Sequence, residues 1–204
     1  MASVNKRENY LDWEEYFMAV AKLAAQRSKD PSFQVGACLV TKDNKIISIG
    51  YNGMPIGCSD DNFPWGKGTG TSGDDNKHLY VCHAEMNAIL LNENSANLRN
   101  STLYVTLFPC NECAKVIIQA GIPEVVYLSD EKGHKTEFVA AKRMFDAAGI
   151  KYKYLARGQT DVVDLCQIPY IFSGTRNLLC ASSIRTTTIS KLADAFWHVL
   201  NCLH

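Results

Sequence analysis

The spacing of hydrophobic residues over the first fifty positions predicts one helix followed by two paired strands. Asp12 and Glu15 form a capping-box pattern, and apolar residues recur behind them at helical spacing to about Ser28. Two strand-like segments follow, with the turn residues 42–45 between them. These segments cover residues 34–41 and 46–51. The pattern therefore predicts an antiparallel hairpin after the helix.

Beyond residue 83 the hydrophobic pattern alternates between helical and strand-like segments. Helical spacing covers residues 83–97, 110–119 and 137–148, and Gly121 and Gly149 are suited to end the last two helices. Short apolar runs predict strands over residues 101–107, 125–128 and 151–155. A hairpin followed by alternating helices and strands indicates an α/β fold. We expect a three-layer α/β/α sandwich with a mixed five-stranded sheet.

Two segments do not follow this pattern. Residues 52–77 contain six of the 13 glycines and have no apolar period. A loop of that length is uncommon in a compact domain and is usually functional or disordered. The pattern also loosens near the C-terminus, so we predict a domain over residues 1–165 and an extension over 166–204. Within the extension, residues 190–203 have the spacing of an amphipathic helix.

Composition narrows the classes of partner. Lys plus Arg and Asp plus Glu each number 21, which disfavours a protein dedicated to nucleic-acid polymers or membrane surfaces. No apolar run approaches the roughly 20 residues of a membrane span, and the first residues lack the apolar core of a signal peptide. Eight cysteines in such a chain indicate metal ligands and buried thiols rather than disulfides. We expect an intracellular protein without a membrane partner.

One spacing of chemically active residues stands out. His83-Ala84-Glu85 precedes Pro109-Cys110-Asn111-Glu112-Cys113 by 23 residues. Two cysteines three positions apart at the start of a helix can share one zinc ion as thiolates. The intervening strand brings the starts of the two helices side by side, so His83 can be the third ligand. The partial positive charge of a helix N-terminus favours the thiolate form.

The number of ligands indicates the role of the zinc. A structural site is normally closed by four protein ligands, whereas three ligands leave one position for water. Glu85 then needs no metal contact and can carry protons to and from that water. The alternative is a structural zinc closed by Cys82 or another cysteine, which leaves Glu85 unexplained. His78, Cys58 and Cys82 could also form a second metal site, although we favour unrelated loop and packing roles.

The arrangement H-x-E followed by P-C-x-x-C is the signature of zinc nucleobase deaminases. The chain resembles the cytidine deaminase superfamily at these residues and, more narrowly, the deoxycytidylate (dCMP) deaminases of eukaryotes. The resemblance extends from about residue 10 to about residue 164. Four stretches carry it: YLDWEEYFMAVAKLAAQRSKDPSFQVGACLV at 10–40, IGYNGMPIGCSDD at 49–61, VCHAEMNAI at 81–89 and LFPCNECAKVIIQAGI at 107–122.

The resemblance implies a specific reaction for residues 1–165. His83, Cys110 and Cys113 would hold one catalytic zinc per subunit. Glu85 would take a proton from a zinc-activated water, protonate N3 of cytosine and pass a proton to the departing amino group. The products would be dUMP and ammonia, and dUMP would serve as the precursor of dTMP. The resemblance also implies a cytosolic enzyme.

Substrate contacts are expectations of the same kind. The resemblance implies that Asn52 contacts the sugar, although an asparagine before Gly53 is also a common turn residue. The Ala84 N–H at a helix start suits the base carbonyl. Phe108 would line the base pocket or belong to the core. Arg27, at the end of the first helix, is our candidate for the substrate phosphate, and the alternative is a solvated helix-end cation.

Regulation is implied by the resemblance alone. Members of this family form hexamers that dCTP activates and dTTP inhibits, so we expect a homo-oligomer and Mg²⁺ accompanying the nucleotide effector. We expect the effector region in residues 52–77, with Gly53, Gly57 and Asp60 as candidates. Three other functions remain open: a deaminase of free cytidine or deoxycytidine, a deaminase of tRNA or single strands, and a catalytically silent zinc scaffold. Zero net charge argues against the second, and Glu85 against the third.

Overall fold

A mixed five-stranded sheet lies at the centre of the computed structural model, which describes residues 5–8, 10–68, 74–92 and 95–156. The strands are β1 (Gly36–Thr41), β2 (Ile46–Tyr51), β3 (Ser101–Val105), β4 (Glu124–Tyr127) and β5 (Lys151–Tyr154). Their order is β2-β1-β3-β4-β5. Strand β1 is antiparallel to β2 and β3, whereas β3, β4 and β5 are parallel. The predicted mixed sheet is confirmed.

Helices cover the two faces of this sheet. The helices are α1 (Trp13–Ala25), α2 (Ala84–Leu90), α3 (Asn111–Ala120) and α4 (Thr136–Ala148). Helix α1 packs on the face that carries Cys38 and Val40, and the other three pack on the face that carries Ala37 and Leu39. Side chains alternate between faces along a strand, and right-handed crossovers that progress in one direction place α3 and α4 on the same face. The three-layer sandwich is confirmed.

The helix ends agree with the sequence signals. The Asp12 side chain accepts a hydrogen bond from the Glu15 N–H at 2.8 Å, and the Glu15 carboxylate accepts one from the Asp12 N–H at 3.0 Å. Gly121 and Gly149 follow α3 and α4 in the left-handed conformation, with φ of 76° and 69°. These caps satisfy helix-end groups that would otherwise lack partners.

The second predicted helix and the first predicted strand are longer than the observed elements. The helix predicted over 83–97 ends at Leu90, and a separate 3₁₀ helix covers Ser95–Asn100. The segment between them is rich in asparagine, whose side chain competes for backbone hydrogen bonds and weakens a helix. The strand predicted from residue 34 starts at Gly36, because the Val35 N–H is bound by the Asn52 side chain and not by a neighbouring strand.

Several predictions fall on loop residues or on residues outside the described part of the structure. Within residues 52–68 and 74–76 the structure has no helix or extended strand, and a 3₁₀ helix covers Lys77–Leu79. The predicted extension over 166–204, with its helix over 190–203, lies outside the described residues. No helix among the described residues is long and apolar enough to cross a bilayer. The five cysteines of the described part are free thiols.

Gly50 is expected to set the distance between β2 and α2. A Cβ atom there would lie 2.2 Å from the Ala84 carbonyl oxygen and 2.5 Å from the Ala88 nitrogen. Both atoms belong to the backbone of α2, so Gly50→Ala must push the helix away from the sheet. We expect a loss of about 1–3 kcal/mol in the free energy of unfolding, measured by denaturant titration. Gly66→Ala is the control, because a Cβ there meets only the Gly68 nitrogen at 3.9 Å. Equal stability of the two variants would contradict this prediction.

Candidate active site

The chemically active residues gather at one edge of the sheet. Strand β3 ends there, and because β1 is antiparallel to β3, the same edge holds the start of β1 and the residues that connect to it. His83 is the N-cap of α2 and Cys110 the N-cap of α3. Neither side chain makes a capping hydrogen bond. Both are therefore free to serve another function at the helix starts.

Three side chains at this edge form a group suited to a metal ion. The Nδ1 atom of His83 lies 3.4 Å from Cys110 Sγ and 3.3 Å from Cys113 Sγ. All three candidate ligand atoms lie within 4.8 Å of one another. Tetrahedral zinc with ordinary bond lengths separates a nitrogen and a sulfur ligand by about 3.6 Å. The donor types and spacings therefore fit zinc, with three ligands from the protein.

The three groups also influence each other's charge. The hydrogen bond from Cys113 lowers the pKa of the Cys110 thiol to about 4, assisted by the hydrogen bond to His83 and against the effect of burial. The hydrogen bond to Cys110 raises the pKa of His83 to about 9. The bond to Cys110 and burial raise the pKa of Cys113 well above its usual value. These shifts favour a thiolate at Cys110 beside a protonated His83, and a metal cation can take the place of the protons that such a group binds.

Glu85 lies beside this group on the first turn of α2. Its side chain is only 4% exposed. Burial raises the pKa of its carboxyl group, opposed by the positive charge of His83. A carboxyl group with a raised pKa next to a three-ligand metal site is suited to exchange protons with a bound water near neutral pH.

A cavity of about 830 Å³ opens in front of these residues. Its volume lies within the range of small-molecule sites, about 300–1,000 Å³. His83, Cys110 and Glu85 line the cavity. The predicted substrate contacts Asn52, Ala84 and Phe108 line it as well. Phe108 is also a core residue, 1% exposed and edge-on to Tyr127 at 4.8 Å between ring centroids. The structure brings this part of the predicted site together.

Arg27 does not belong to the same cavity. It is exposed, its guanidinium carbon lies 6.0 Å from the centroid of the Tyr51 ring, and it is not among the lining residues. The structure therefore does not support our expectation that Arg27 binds the substrate phosphate within this cavity. The lining cations are instead lysines that sequence reasoning missed. They are Lys67, Lys77, Lys132 and Lys135.

The candidate effector residues also lie outside the cavity lining. Gly53 pairs with Cys82 through two backbone hydrogen bonds of 3.1 and 2.9 Å. Gly57 has a left-handed conformation with φ of 86°. Asp60 forms an ion pair with Lys29, and its carbonyl accepts a hydrogen bond from the Trp65 indole at 2.9 Å. These contacts order the segment that contains the three residues without identifying a ligand.

The described residues contain no second group with metal-ligand spacing. His78, Cys58 and Cys82 do not form a group of closely spaced ligand atoms, whereas His83, Cys110 and Cys113 do. Burial, and to a lesser extent the charge of Cys58, raises the pKa of Cys82. Neither effect calls for a metal ion.

Known proteins share both the sequence and the fold of this chain. Residues 11–129 match the family described as cytidine and deoxycytidylate deaminase zinc-binding region. Deoxycytidylate deaminase of Homo sapiens is 54% identical over 167 residues, which cover 81% of this chain and 93% of that protein. The probable deoxycytidylate deaminase of Drosophila melanogaster is 51% identical over 170 residues, covering 81% and 83% of the two chains.

One solved structure supports the fold comparison. The dCMP deaminase of the cyanophage S-TIM5, in complex with dCMP and dUMP, is 26% identical to this chain with a TM-score of 0.53. The match covers 74% of this chain and 100% of the phage chain.

Proposed function

Because the chain belongs to the cytidine and deoxycytidylate deaminase family, we propose that it hydrolyses dCMP to dUMP and ammonia. The observation that carries the proposal is the buried Glu85 carboxyl beside the group of His83, Cys110 and Cys113, in a cavity of nucleotide size. A structural zinc site would not need that carboxyl group. Relatives that are more than half identical bear the name deoxycytidylate deaminase, which supports dCMP as the substrate.

Each residue of the site has a role in this reaction. His83, Cys110 and Cys113 would hold zinc, which when bound supplies Lewis-acid activation of water. Glu85 accepts the proton of that water and donates it to N3 of cytosine, which makes C4 electrophilic. Glu85 then takes the remaining proton from the oxygen newly bound to C4 and delivers it to the amino group, which departs as ammonia while the C4 carbonyl forms. The reaction balances in this way: the C4–N bond breaks, a C4–O bond forms, the two protons of water end on N3 and on ammonia, and no covalent enzyme intermediate arises.

Neighbouring groups would hold the nucleotide in place. The Ala84 N–H, at the first position of α2, has no acceptor within the helix and suits the cytosine carbonyl oxygen. The Phe108 ring forms an apolar part of the cavity wall. Asn52 is 6% exposed and lines the same cavity, where its amide would contact the sugar hydroxyl.

We assign the phosphate to Lys67, Lys132 and Lys135 in place of Arg27, because the fourth cavity lysine, Lys77, is paired with the Asp30 carboxylate. The Lys132 ammonium lies over the Phe33 ring, 3.3 Å from its centroid, and both residues line the cavity. Burial and the neighbouring charges of Lys135, Lys67 and Lys77 lower the pKa of Lys132. Several cations with mutually unfavourable charges at one cavity are suited to an anionic ligand.

Lys132→Ala is therefore expected to raise KM for dCMP by about 10- to 100-fold, since a charge-assisted hydrogen bond contributes roughly 1.5–3 kcal/mol. Deoxycytidine, which has no phosphate, should be turned over equally well by the wild type and the variant. Steady-state kinetics on both substrates measure this difference. Lys45→Ala is the matched control, because Lys45 pairs with Asp43 on the surface and neither residue lines the cavity. An unchanged KM for dCMP in Lys132→Ala would contradict the assignment.

An ultraviolet assay of dCMP, with deoxycytidine in parallel, tests the function directly. Turnover of dCMP in preference to the nucleoside is the expected result. Turnover of deoxycytidine alone would indicate the nucleoside deaminase and would remove the phosphate role of the lysines. No turnover of either substrate by zinc-loaded protein would favour the silent scaffold.

We further propose a cytosolic homo-hexamer that dCTP activates and dTTP inhibits, with Mg²⁺ accompanying the effector. The sequence resemblance supports this proposal, and Gly53, Gly57 and Asp60 remain the candidate effector residues. Mass measurements in solution and initial rates, each with and without dCTP, dTTP and Mg²⁺, test it. A monomer whose rate neither nucleotide changes would refute it.

A further inference from the structure

A buried carboxylate at the cavity wall has no role in the reaction described above. Asp30 lies in the connection between α1 and β1, is 5% exposed and lines the cavity. Its Oδ1 accepts hydrogen bonds from the backbone N–H groups of Ser32 at 2.8 Å and Phe33 at 3.2 Å. The ammonium group of Lys77, itself 3% exposed, lies 2.6 and 2.7 Å from the two carboxylate oxygens. The carboxylate is thus held in one position by its own loop and by a buried cation.

The same carboxylate contacts the amide of Asn52. Asn52 Nδ2 donates to Asp30 Oδ2 at 3.4 Å and to the Phe33 carbonyl at 3.0 Å. Asn52 Oδ1 accepts from the Val35 N–H at 2.8 Å. Both amide protons of Asn52 are donated to oxygen acceptors, and Oδ1 accepts a hydrogen bond from a backbone N–H. The Asn52 amide therefore has a single favourable orientation. One lone pair of Oδ1 remains free to accept a hydrogen bond from a ligand.

We propose that Asp30 is a positioning residue, whose carboxylate, held by the Lys77 ammonium, fixes the Asn52 amide at the cavity wall for binding of the nucleotide. The proposal rests on the proposed function, since it assumes that Asn52 contacts the substrate. Burial disfavours the charged form of Asp30, but the bonds from Lys77, Ser32 and Phe33 outweigh it and lower the pKa of this carboxyl group. Asp30 is therefore ionised at neutral pH and acts through its neighbours.

A double-mutant cycle on the zinc-loaded full chain tests whether Asp30 acts through Asn52. Asp30→Asn is expected to reduce kcat/KM for dCMP by up to about 100-fold, as misplaced binding groups do. In an Asn52→Ala background the same substitution should change kcat/KM by less than about 3-fold, because the positioned group is already absent. Equal losses in both backgrounds, or no loss in folded Asp30→Asn, would overturn the proposal. Asp43→Asn is the matched control, since Asp43 forms an exposed ion pair with Lys45 outside the cavity lining.

Asp30→Asn leaves the buried Lys77 ammonium without its partner, and an unpaired buried charge is strongly destabilising. A second pair of variants therefore lacks this cation. Lys77→Met serves as the reference, and Asp30→Asn is added to it. Without the buried cation, the added change should preserve the melting temperature and still reduce kcat/KM by about 10-fold or more. Equal kcat/KM for the two proteins would overturn the proposal.

A third measurement does not depend on turnover. Hydrogen exchange of the Asn52 side-chain amide, followed by NMR, is expected to be at least about 10-fold faster in Asp30→Asn than in the wild type, since burial and hydrogen bonding protect amides from exchange. Unchanged exchange would overturn the positioning role. If the wild type failed to deaminate dCMP while the exchange rates differed as expected, the proposed function would fail and the positioning of Asn52 by Asp30 would stand.

Discussion

Replacing Glu85 with glutamine is expected to reduce kcat for dCMP by about 10²–10⁴-fold, the contribution that a positioned general acid and base makes. The amide keeps the size of the side chain but cannot accept a proton from water or donate one to the cytosine ring. Because Glu85 is buried and is not among the three candidate metal ligands, zinc should remain at one ion per chain. Steady-state kinetics and metal analysis on the same preparation measure the two quantities.

The stability of this variant provides an independent check. Burial raises the pKa of the Glu85 carboxyl group, which means that the folded protein disfavours the charged form. A neutral amide removes that cost, so the melting temperature should be equal to or higher than that of the wild type. Glu14→Gln, which removes an exposed ion pair with Lys153, is the matched control and should retain full activity. A Glu85→Gln enzyme with kcat within 10-fold of the wild type would show that another group transfers the protons.

The candidate metal ligands and Glu85 could be predicted as one group from the sequence because they lie at fixed spacings on adjacent helix starts. His83 and Glu85 share the first turn of one helix, and Cys110 and Cys113 share that of another, so local periodicity sets the position of each pair. The single strand between the helices then determines that the two starts meet. The mixed sheet followed from the same alternation of elements.

The proposed phosphate site could not be predicted in this way, because its candidate cations come from separate loops. Lys67 belongs to the segment after β2, and Lys132 and Lys135 to the segment after β4. No spacing in the sequence connects them. Arg27 lies only three residues from Asp30, which does line the cavity. The spacing in the sequence does not show which side chain of this connection reaches the cavity.

The same limit applies to the buried pair of Asp30 and Lys77. Charged residues are almost never fully buried unless they are paired, so the burial of either residue can be predicted only if its partner is known. Asp30 and Lys77 are 47 residues apart in the sequence, and no local spacing connects them. The helix predicted over 83–97 failed for a different reason, since the asparagines after Leu90 outweighed the apolar spacing. Local helix propensity determined where α2 ends, whereas pairing between residues distant in the sequence determined which charged residues are buried at the cavity wall.

Cys113→Ala is expected to reduce the zinc content well below one ion per chain and to lower kcat/KM by at least about 10³-fold. Zinc lowers the pKa of water from about 15.7 to about 7, and Glu85 cannot replace that effect. A metal that binds only the folded state stabilises it, so the melting temperature should fall as well. Atomic absorption, kinetics and thermal denaturation measure the three effects.

The control for this variant must also remove a buried cysteine, and Cys38 meets that requirement. Both thiols are fully buried, but Cys38 packs between β1 and α1 on the sheet face opposite α2 and α3. Burial raises the pKa of Cys38 to about 12, so it stays a neutral thiol and supplies no thiolate to a metal. Cys38→Ala should lose stability through the cavity that it leaves while it retains zinc and activity. If both variants lost zinc equally, the loss in Cys113→Ala would reflect unfolding, and Cys113 would not be established as a ligand.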